Sequence, residues 1–259
     1  MKIISFSFML CAGLLTLSAC APSSSPTGNE SELTGTVWSL STLRDQTLVT
    51  SSNISAIFTS NGKIGGSSGC NSYSGTYTVD GDEIQISSPL ASTLIACPEE
   101  IAAQETAYLA TLAEVRTYSI SGNQLTLNDA SQKSLLVYEA QSQDLSKTSW
   151  QATGYNNGKQ AVVSVMAGTS LTATFGTDGT LSGNSGCNEY NGPYKVDGNR
   201  ITIGPLVSTR MACSSPEGVM EQEALYQAAL QSAAVYRIES NTLELRTQDG
   251  ALAANFMVK

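Results

Sequence analysis

The feature that most constrains this chain is that its second half repeats its first. Gly69-Cys70-Asn71, Tyr73, Gly75, Tyr77, Val79-Asp80-Gly81, Ile84 and Ile86 return as Gly186-Cys187-Asn188, Tyr190, Gly192, Tyr194, Val196-Asp197-Gly198, Ile201 and Ile203, at an offset of 117 residues. Pro89-Leu90, Ser92-Thr93 and Ala96-Cys97 then match Pro205-Leu206, Ser208-Thr209 and Ala212-Cys213 at an offset of 116. Gln104-Glu105, Tyr108, Leu112 and Tyr118 match Gln222-Glu223, Tyr226, Leu230 and Tyr236. Each copy opens on a tryptophan, Trp38 and Trp150, and closes on an apolar strand at 135–138 and 253–258. So many matches in order mark a duplication. The expectation is two tandem domains, 33–140 and 148–259, joined by a short polar linker at 141–147.

Within a copy the hydrophobic period is mostly two. Leu171-Thr172-Ala173-Thr174-Phe175 alternates apolar and polar, and Thr177-Asp178-Gly179-Thr180 reads as a turn. Residues 192–196 and 201–203 read as strands around an Asp197-Gly198-Asn199 hairpin turn. One stretch breaks the rule. Residues 216–233 are rich in Ala, Glu, Gln and Leu, with Val219, Leu225, Tyr226 and Leu230 at helical spacing and acidic residues in the first turns. The equivalent stretch is 98–114. The fold class expected is therefore mainly β (α+β), each copy a small antiparallel, barrel-like meander with one helix. Closure into a barrel removes the edges that a meander leaves open.

The N-terminus carries a different message. Lys2 precedes an apolar run from Ile3 to Leu17, shorter than the about 20 residues a membrane span needs. Leu17-Ser18-Ala19-Cys20 ends it, and a cysteine after small residues resembles the lipobox of bacterial lipoproteins. That resemblance implies a signal peptide over 1–19, removed, and lipidation of Cys20. Ala21 at the next position implies the outer membrane, facing the periplasm. Residues 20–32, with the sequence APSSSPTGNESE after the cysteine, read as a flexible tether too polar to order itself.

Composition excludes whole classes. The net charge is −9, and loss of Lys2 with the signal makes it −9 − 1 = −10. A chain this acidic, with 13 Lys+Arg, does not suit nucleic acid or attachment to anionic lipid by charge. It has no histidine, which removes Ser-His-Asp and Cys-His catalysis and the commonest zinc ligand. No catalytic residue, metal site or cofactor is expected.

Four cysteines remain after the signal and Cys20 are set aside, and an oxidising compartment favours bridges. Of three connectivities, the repeat selects Cys70–Cys97 and Cys187–Cys213. Chain entropy makes each worth about 3 kcal/mol. A redox dithiol is the weighed alternative, but there is no Cys-x-x-Cys and no adjacent base.

Gly-Cys-Asn, the tyrosines and glycines that follow, Thr209-Arg210-Met211-Ala212-Cys213 and a Glu-bearing helix together resemble the META domain of HslJ-type heat-shock proteins. Copy one departs, with Thr93-Leu94-Ile95-Ala96-Cys97. The resemblance implies a small β-barrel with one helix and a role in envelope stress or at the cell surface, and it lends no catalytic residues. Asn71 and Asn188 read first as turn formers. Arg210 reads as a partner for a carboxylate such as Glu223, or as a solvated surface cation. Glu105 and Glu223 read as structural or exposed. Tyr73, Tyr77, Tyr190 and Tyr194 alternate along strands and read as barrel core, with an outward binding face as the alternative. The candidate binding residues are Asn188, Arg210 and Glu223. The expected function is a non-enzymatic, monomeric envelope lipoprotein, anchored to the membrane by lipid, that binds an envelope protein or supports the envelope under stress. The rival is a periplasmic binder of small ligands in the barrel interior.

Overall fold

The computed structural model describes residues 28–259 except residue 51. Cys20 and the segment before it lie outside the described residues. The chain opens with α1 (Gly28–Leu33), followed by β1 (Val37–Leu43), β2 (Asn53–Thr59), β3 (Lys63–Gly69), β4 (Ser72–Asp80), β5 (Glu83–Ile86) and β6 (Ala91–Ser92). Then come α2 (Glu99–Leu112), β7 (Thr117–Ser121), β8 (Gln124–Asn128) and β9 (Ser134–Ala140). The second copy runs through β10 (Thr148–Asn156), β11 (Val162–Ser164), β12 (Thr172–Phe175), β13 (Thr180–Asn184), β14 (Glu189–Asp197), β15 (Arg200–Ile203) and β16 (Val207–Ser208). It ends with α3 (Val219–Gln231), β17 (Val235–Glu239), β18 (Thr242–Arg246) and β19 (Leu252–Val258).

Each copy closes into an eight-stranded antiparallel barrel. In the first, the order β3-β2-β1-β9-β8-β7-β5-β4 is closed by pairing of β3 with β4, and β6 adds to β4. In the second, β10-β12-β13-β14-β15-β17-β18-β19 is closed by β10 against β19, with β11 and β16 as additions. Both barrels are thinnest at one seam, a single residue pair: Glu83 with Thr117, and Arg200 with Val235. There the chain leaves the sheet to make its helix before returning. Both turn a corner at an equivalent bulge in the first strand, between Leu40 and Thr42 and between Ala152 and Gly154. The Asp-Gly turns close the β4–β5 and β14–β15 hairpins, with Gly81 and Gly198 at φ +65° and +60°, where a side chain is disfavoured.

Alternation fills both interiors. β4 reads exposed–buried along most of its length, placing Tyr73 and Tyr77 inward, and β14 does the same with Tyr190 and Tyr194. In the first barrel they join Trp38, Phe58, Tyr118, Leu125, Leu127 and Tyr138, all buried. The helix seals the end, because Tyr108 of α2 is buried and its hydroxyl meets those of Tyr73 (2.8 Å) and Tyr138 (3.0 Å). Tyr226 of α3 does the same beside Tyr190 (3.4 Å). Burial raises the pKa of all five of these hydroxyls, so they stay protonated as donors. With side chains in these positions, the interior is a packed core rather than a ligand chamber.

Two sequence expectations change. The segment expected to be tether as far as residue 32 is helical from Gly28, and Leu33 is fully buried, its carbonyl accepting from the Trp38 indole Nε1 (3.0 Å). The linker at 141–147 packs against the second barrel. Gln143 donates to the Ile238 carbonyl and accepts from the Ile238 N–H, both at 2.8 Å, and Leu145 lies in the core of that barrel. Apolar Leu145 inside a polar run was the signal.

Among the described residues no helix is long and apolar enough to cross a membrane.

Candidate functional site

The repeated Gly-Cys-Asn and helix-borne Glu meet at one end of each barrel. In the first, β3 ends at Gly69, and the turn that follows delivers Cys70 and Asn71 beneath α2. The Asn71 backbone N–H (2.9 Å) and the Ser68 hydroxyl (2.7 Å) donate to Glu105 Oε2, while Asn71 Nδ2 donates to Oε1 (2.9 Å). Asn71 Oδ1 accepts from Thr93 Oγ1 (2.8 Å) and the Ile95 N–H (2.7 Å). The second barrel repeats the amide contacts, while Ser185, at the place of Ser68, donates to the Asn188 carbonyl instead of the helix carboxylate. Glu223 accepts from the Asn188 N–H (2.9 Å) and Nδ2 (3.1 Å), and Asn188 Oδ1 accepts from Thr209 Oγ1 (2.6 Å) and the Met211 N–H (2.8 Å).

The arrangement is a three-way clamp. One amide ties the turn after β3 or β13 to the helix carboxylate on one side and to the loop before the helix on the other. The disulfide is the second tie between the same turn and loop. Cys70–Cys97 has a Cα separation of 6.2 Å and Cys187–Cys213 one of 6.0 Å, both ordinary for a bridge. Burial alone would push the Glu105 carboxyl up. The hydrogen bonds from the Asn71 N–H, the Ser68 hydroxyl and the Asn71 amide outweigh it and hold the group below its ordinary value.

The structure therefore brings together two of the three candidate binding residues, Asn188 and Glu223, and buries both at 1% and 8% exposure. Asn71 and Asn188 do lie in the turn, closed by the Ser68 N–H to the Asn71 carbonyl and the Ser185 N–H to the Asn188 carbonyl. Their side chains bridge distant segments rather than their own backbone. Of the two readings of Arg210, the structure shows the solvated one. Arg210 is exposed, and the Glu223 carboxylate is taken by Asn188. Among the described residues no three His, Cys, Asp or Glu side chains gather as a metal would need.

Sequence reasoning missed what the clamp holds up. Each clamped loop presents a large apolar side chain to solvent directly at the pinned residue. Ile95 is 63% and Met211 54% exposed, and Leu94 beside Ile95 is 95% exposed. It also missed a groove across the outside of each barrel. In the first, about 820 Å³ lies between β3, the start of β4 and the β17–β18 hairpin of the second barrel. In the second, about 740 Å³ lies along β13 and the start of β14. Gly66 and Gly183, at equivalent positions, were the available signal. A Cβ on either would fall 2.3 Å from the Ser55 carbonyl oxygen or 2.0 Å from that of Thr172, so only glycine admits this close approach.

The sequence profile of the META domain matches residues 31–142 and again 143–258. Among solved structures, an NMR structure of a protein from Burkholderia xenovorans is 26% identical, covering 47% of this chain and 94% of its own, with a TM-score of 0.38. A crystal structure of a DUF4847 family protein from Bacteroides vulgatus is 18% identical, covering 44% of this chain and 93% of its own, with a TM-score of 0.32. No curated protein matches the chain.

Proposed function

The chain belongs to the META domain family, and from that premise we propose a lipid-anchored, non-catalytic binding protein of the bacterial outer membrane, facing the periplasm and serving the envelope under stress. The observation that carries the binding role is the clamp. Each domain spends its buried amide and acid on holding its own loop, and the side chains left free at that place are solvent-facing. A general acid needs a carboxyl with a raised pKa, whereas the Glu105 carboxyl is held down and stays an acceptor. The packed interiors leave the outer surfaces as the place for a partner. The anchor rests on Leu17-Ser18-Ala19-Cys20, and the stress role on the family resemblance. One acyl chain binds a membrane only marginally, so stable attachment requires the multiple acylation such a cysteine receives.

The test is intact-mass measurement and envelope fractionation of the chain expressed in a Gram-negative cell. Cys20 carrying lipid, with the protein in the outer-membrane fraction, is the expected result. An unmodified Cys20 in a soluble protein refutes the anchor. Crosslinking in heat-stressed envelopes should then give discrete adducts at residues 94–95 and 210–211. Adducts no more frequent there than at other exposed positions refute binding through the clamped loops.

A further inference from the structure

The two outer grooves share one frame. In the first barrel Ser55 Oγ accepts from the Ser67 N–H (2.9 Å), and the Ser55 carbonyl accepts from the Tyr73 hydroxyl (3.1 Å). In the second, Thr172 Oγ1 accepts from the Asn184 N–H (2.9 Å), and the Thr172 carbonyl accepts from the Tyr190 hydroxyl (2.7 Å). The glycine that admits the carbonyl, Gly66 or Gly183, sits at the same place in both.

Their occupancy differs. The first groove is covered by the chain's own β17–β18 hairpin, which lines it with Arg237, Glu239, Ser240 and Glu244. Glu239 Oε1 accepts from the Ser55 hydroxyl (2.5 Å), its other oxygen pairs with Arg237 (3.4 Å), and Ser55 is fully buried. In the second groove Thr172 remains partly exposed, and among the described residues its hydroxyl hydrogen has no acceptor. Lys259 lines that groove and supplies a cation, with Glu189 as the opposing charge on the same rim.

We infer that the groove along β13 and β14 is a docking site for an acidic β-turn of a partner protein, which would place its carboxylate between Thr172 and Lys259 as Glu239 is placed on Ser55. A second copy of this chain does not fit as the occupant. The hairpin β7–β8 of the first barrel has Ser119, Ser121 and Thr126 where β17–β18 has Arg237, Glu239 and Glu244, and it carries no charge at all. The charged hairpin is already engaged within its own chain. The partner is therefore a different protein, recognised by a carboxylate on a turn. This deepens the binding reading above and rests on it.

The probe is a backbone-cyclised peptide of residues 234–247, AVYRIESNTLELRT, titrated into the ¹⁵N-labelled mature chain made soluble by Cys20→Ser. Saturable shifts at Thr172, Ser182, Asn184 and Tyr190 are expected. Gln in place of Glu239 in the peptide, or Lys259→Glu in the protein, should weaken binding at least about tenfold, and Glu189→Lys should tighten it. Lys259 and Glu189 are exposed, so these variants leave the fold intact. Three results overturn the inference: no shifts at millimolar peptide, shifts confined to Ser55 and Ser67, or an affinity indifferent to all three charge changes. Discrete crosslinked adducts at residues 94–95 and 210–211 in stressed envelopes, alongside any of these results, would leave the binding reading standing, so the two failures are distinguishable.

Discussion

Asn188→Ala tests the clamp most directly. Asn188 is 1% exposed and its side chain makes four hydrogen bonds: two accepted from Thr209 and Met211, two donated to Glu223 Oε1 and the Met211 carbonyl. Alanine keeps the backbone N–H that donates to Glu223 Oε2 but strips the other oxygen of its donor. Glu223 is 8% exposed, so that oxygen is poorly placed to recover water. A hydrogen bond to a charged group is worth about 1.5–3 kcal/mol net, and a neutral one about 1. Thr209 and Met211 are exposed and can turn to solvent, so their three bonds count at the bottom of the neutral range, about 0.5 kcal/mol each. The sum is a loss of about 3–4.5 kcal/mol from the second domain. At about 4 °C per kcal/mol for a domain of this size, the melting temperature should fall by about 12–18 °C. The chain has two tryptophans, Trp38 in the first barrel and Trp150 in the second. In a Trp38→Phe background, fluorescence follows the second barrel alone, and Asn71→Ala in a Trp150→Phe background is the mirror experiment. A fall of less than about 4 °C, or an equal fall in the other barrel, would refute the argument that the amide is the tie within each domain.

Three further outcomes follow from the same geometry. The double variant Cys187→Ala/Cys213→Ala opens a loop of 26 residues, for which chain entropy gives about 3.5 kcal/mol. Urea unfolding should show that loss in the second domain only. The Glu105 carboxyl has a native pKa below its ordinary 4.5, so its stabilisation is complete above that value and drains as pH falls through the native value. The first domain should thus lose stability as pH falls below 4.5, and Glu105→Gln should flatten that part of its stability–pH curve while lowering stability at pH 7. Cleavage of the chain for separate expression belongs at 140–141 rather than at Gln143, since Gln143 and Leu145 serve the second barrel. A second fragment beginning at 141 should melt cooperatively, and one beginning at 147 should be measurably less stable.

Much of the fold was legible because the repeat and the period of two reinforce each other. A strand such as β14, buried at every second residue over Tyr190–Tyr194, is readable from alternation, and a second copy of the same pattern removes accidents. The helices were legible for the opposite reason, because α2 and α3 break the alternation. What the sequence did not disclose is what depends on distance along the chain. Asn188 and Glu223 are 35 residues apart, and nothing local says that a turn amide will find a helix carboxylate. One of the two readings of Arg210, as a partner for Glu223, followed ordinary charge pairing. The amide won because it reaches the carboxylate with its own backbone N–H as well as its side chain, whereas the arginine sits on the outer side of the loop. The helical turn at Gly28–Leu33 was hidden by polar residues, and only Leu33 shows why it docks.

The copies keep one frame and differ in what they place upon it. The amide contacts of the clamp are the same in both, although Ser68 adds a hydroxyl donor to Glu105 where Ser185 turns to the Asn188 carbonyl and accepts from Gln227. The other differences lie where no folding constraint acts: Leu94 against Arg210 on the pinned loop, and a neutral against a charged hairpin opposite it. The charged hairpin is what lets the second barrel cover the first one's groove. Arg237 and Arg246 both hold Glu244, at 3.2 and 3.0 Å, which keeps the face of the hairpin in order while Glu239 reaches Ser55. Removing that single reach, by Glu239→Gln, leaves both barrels' cores untouched. It should therefore loosen the two domains relative to one another, seen as a larger radius of gyration in solution scattering, without lowering the melting of either. An unchanged radius would mean that the linker contacts of Gln143 alone set how the barrels sit, and that the hairpin covers the groove without holding it.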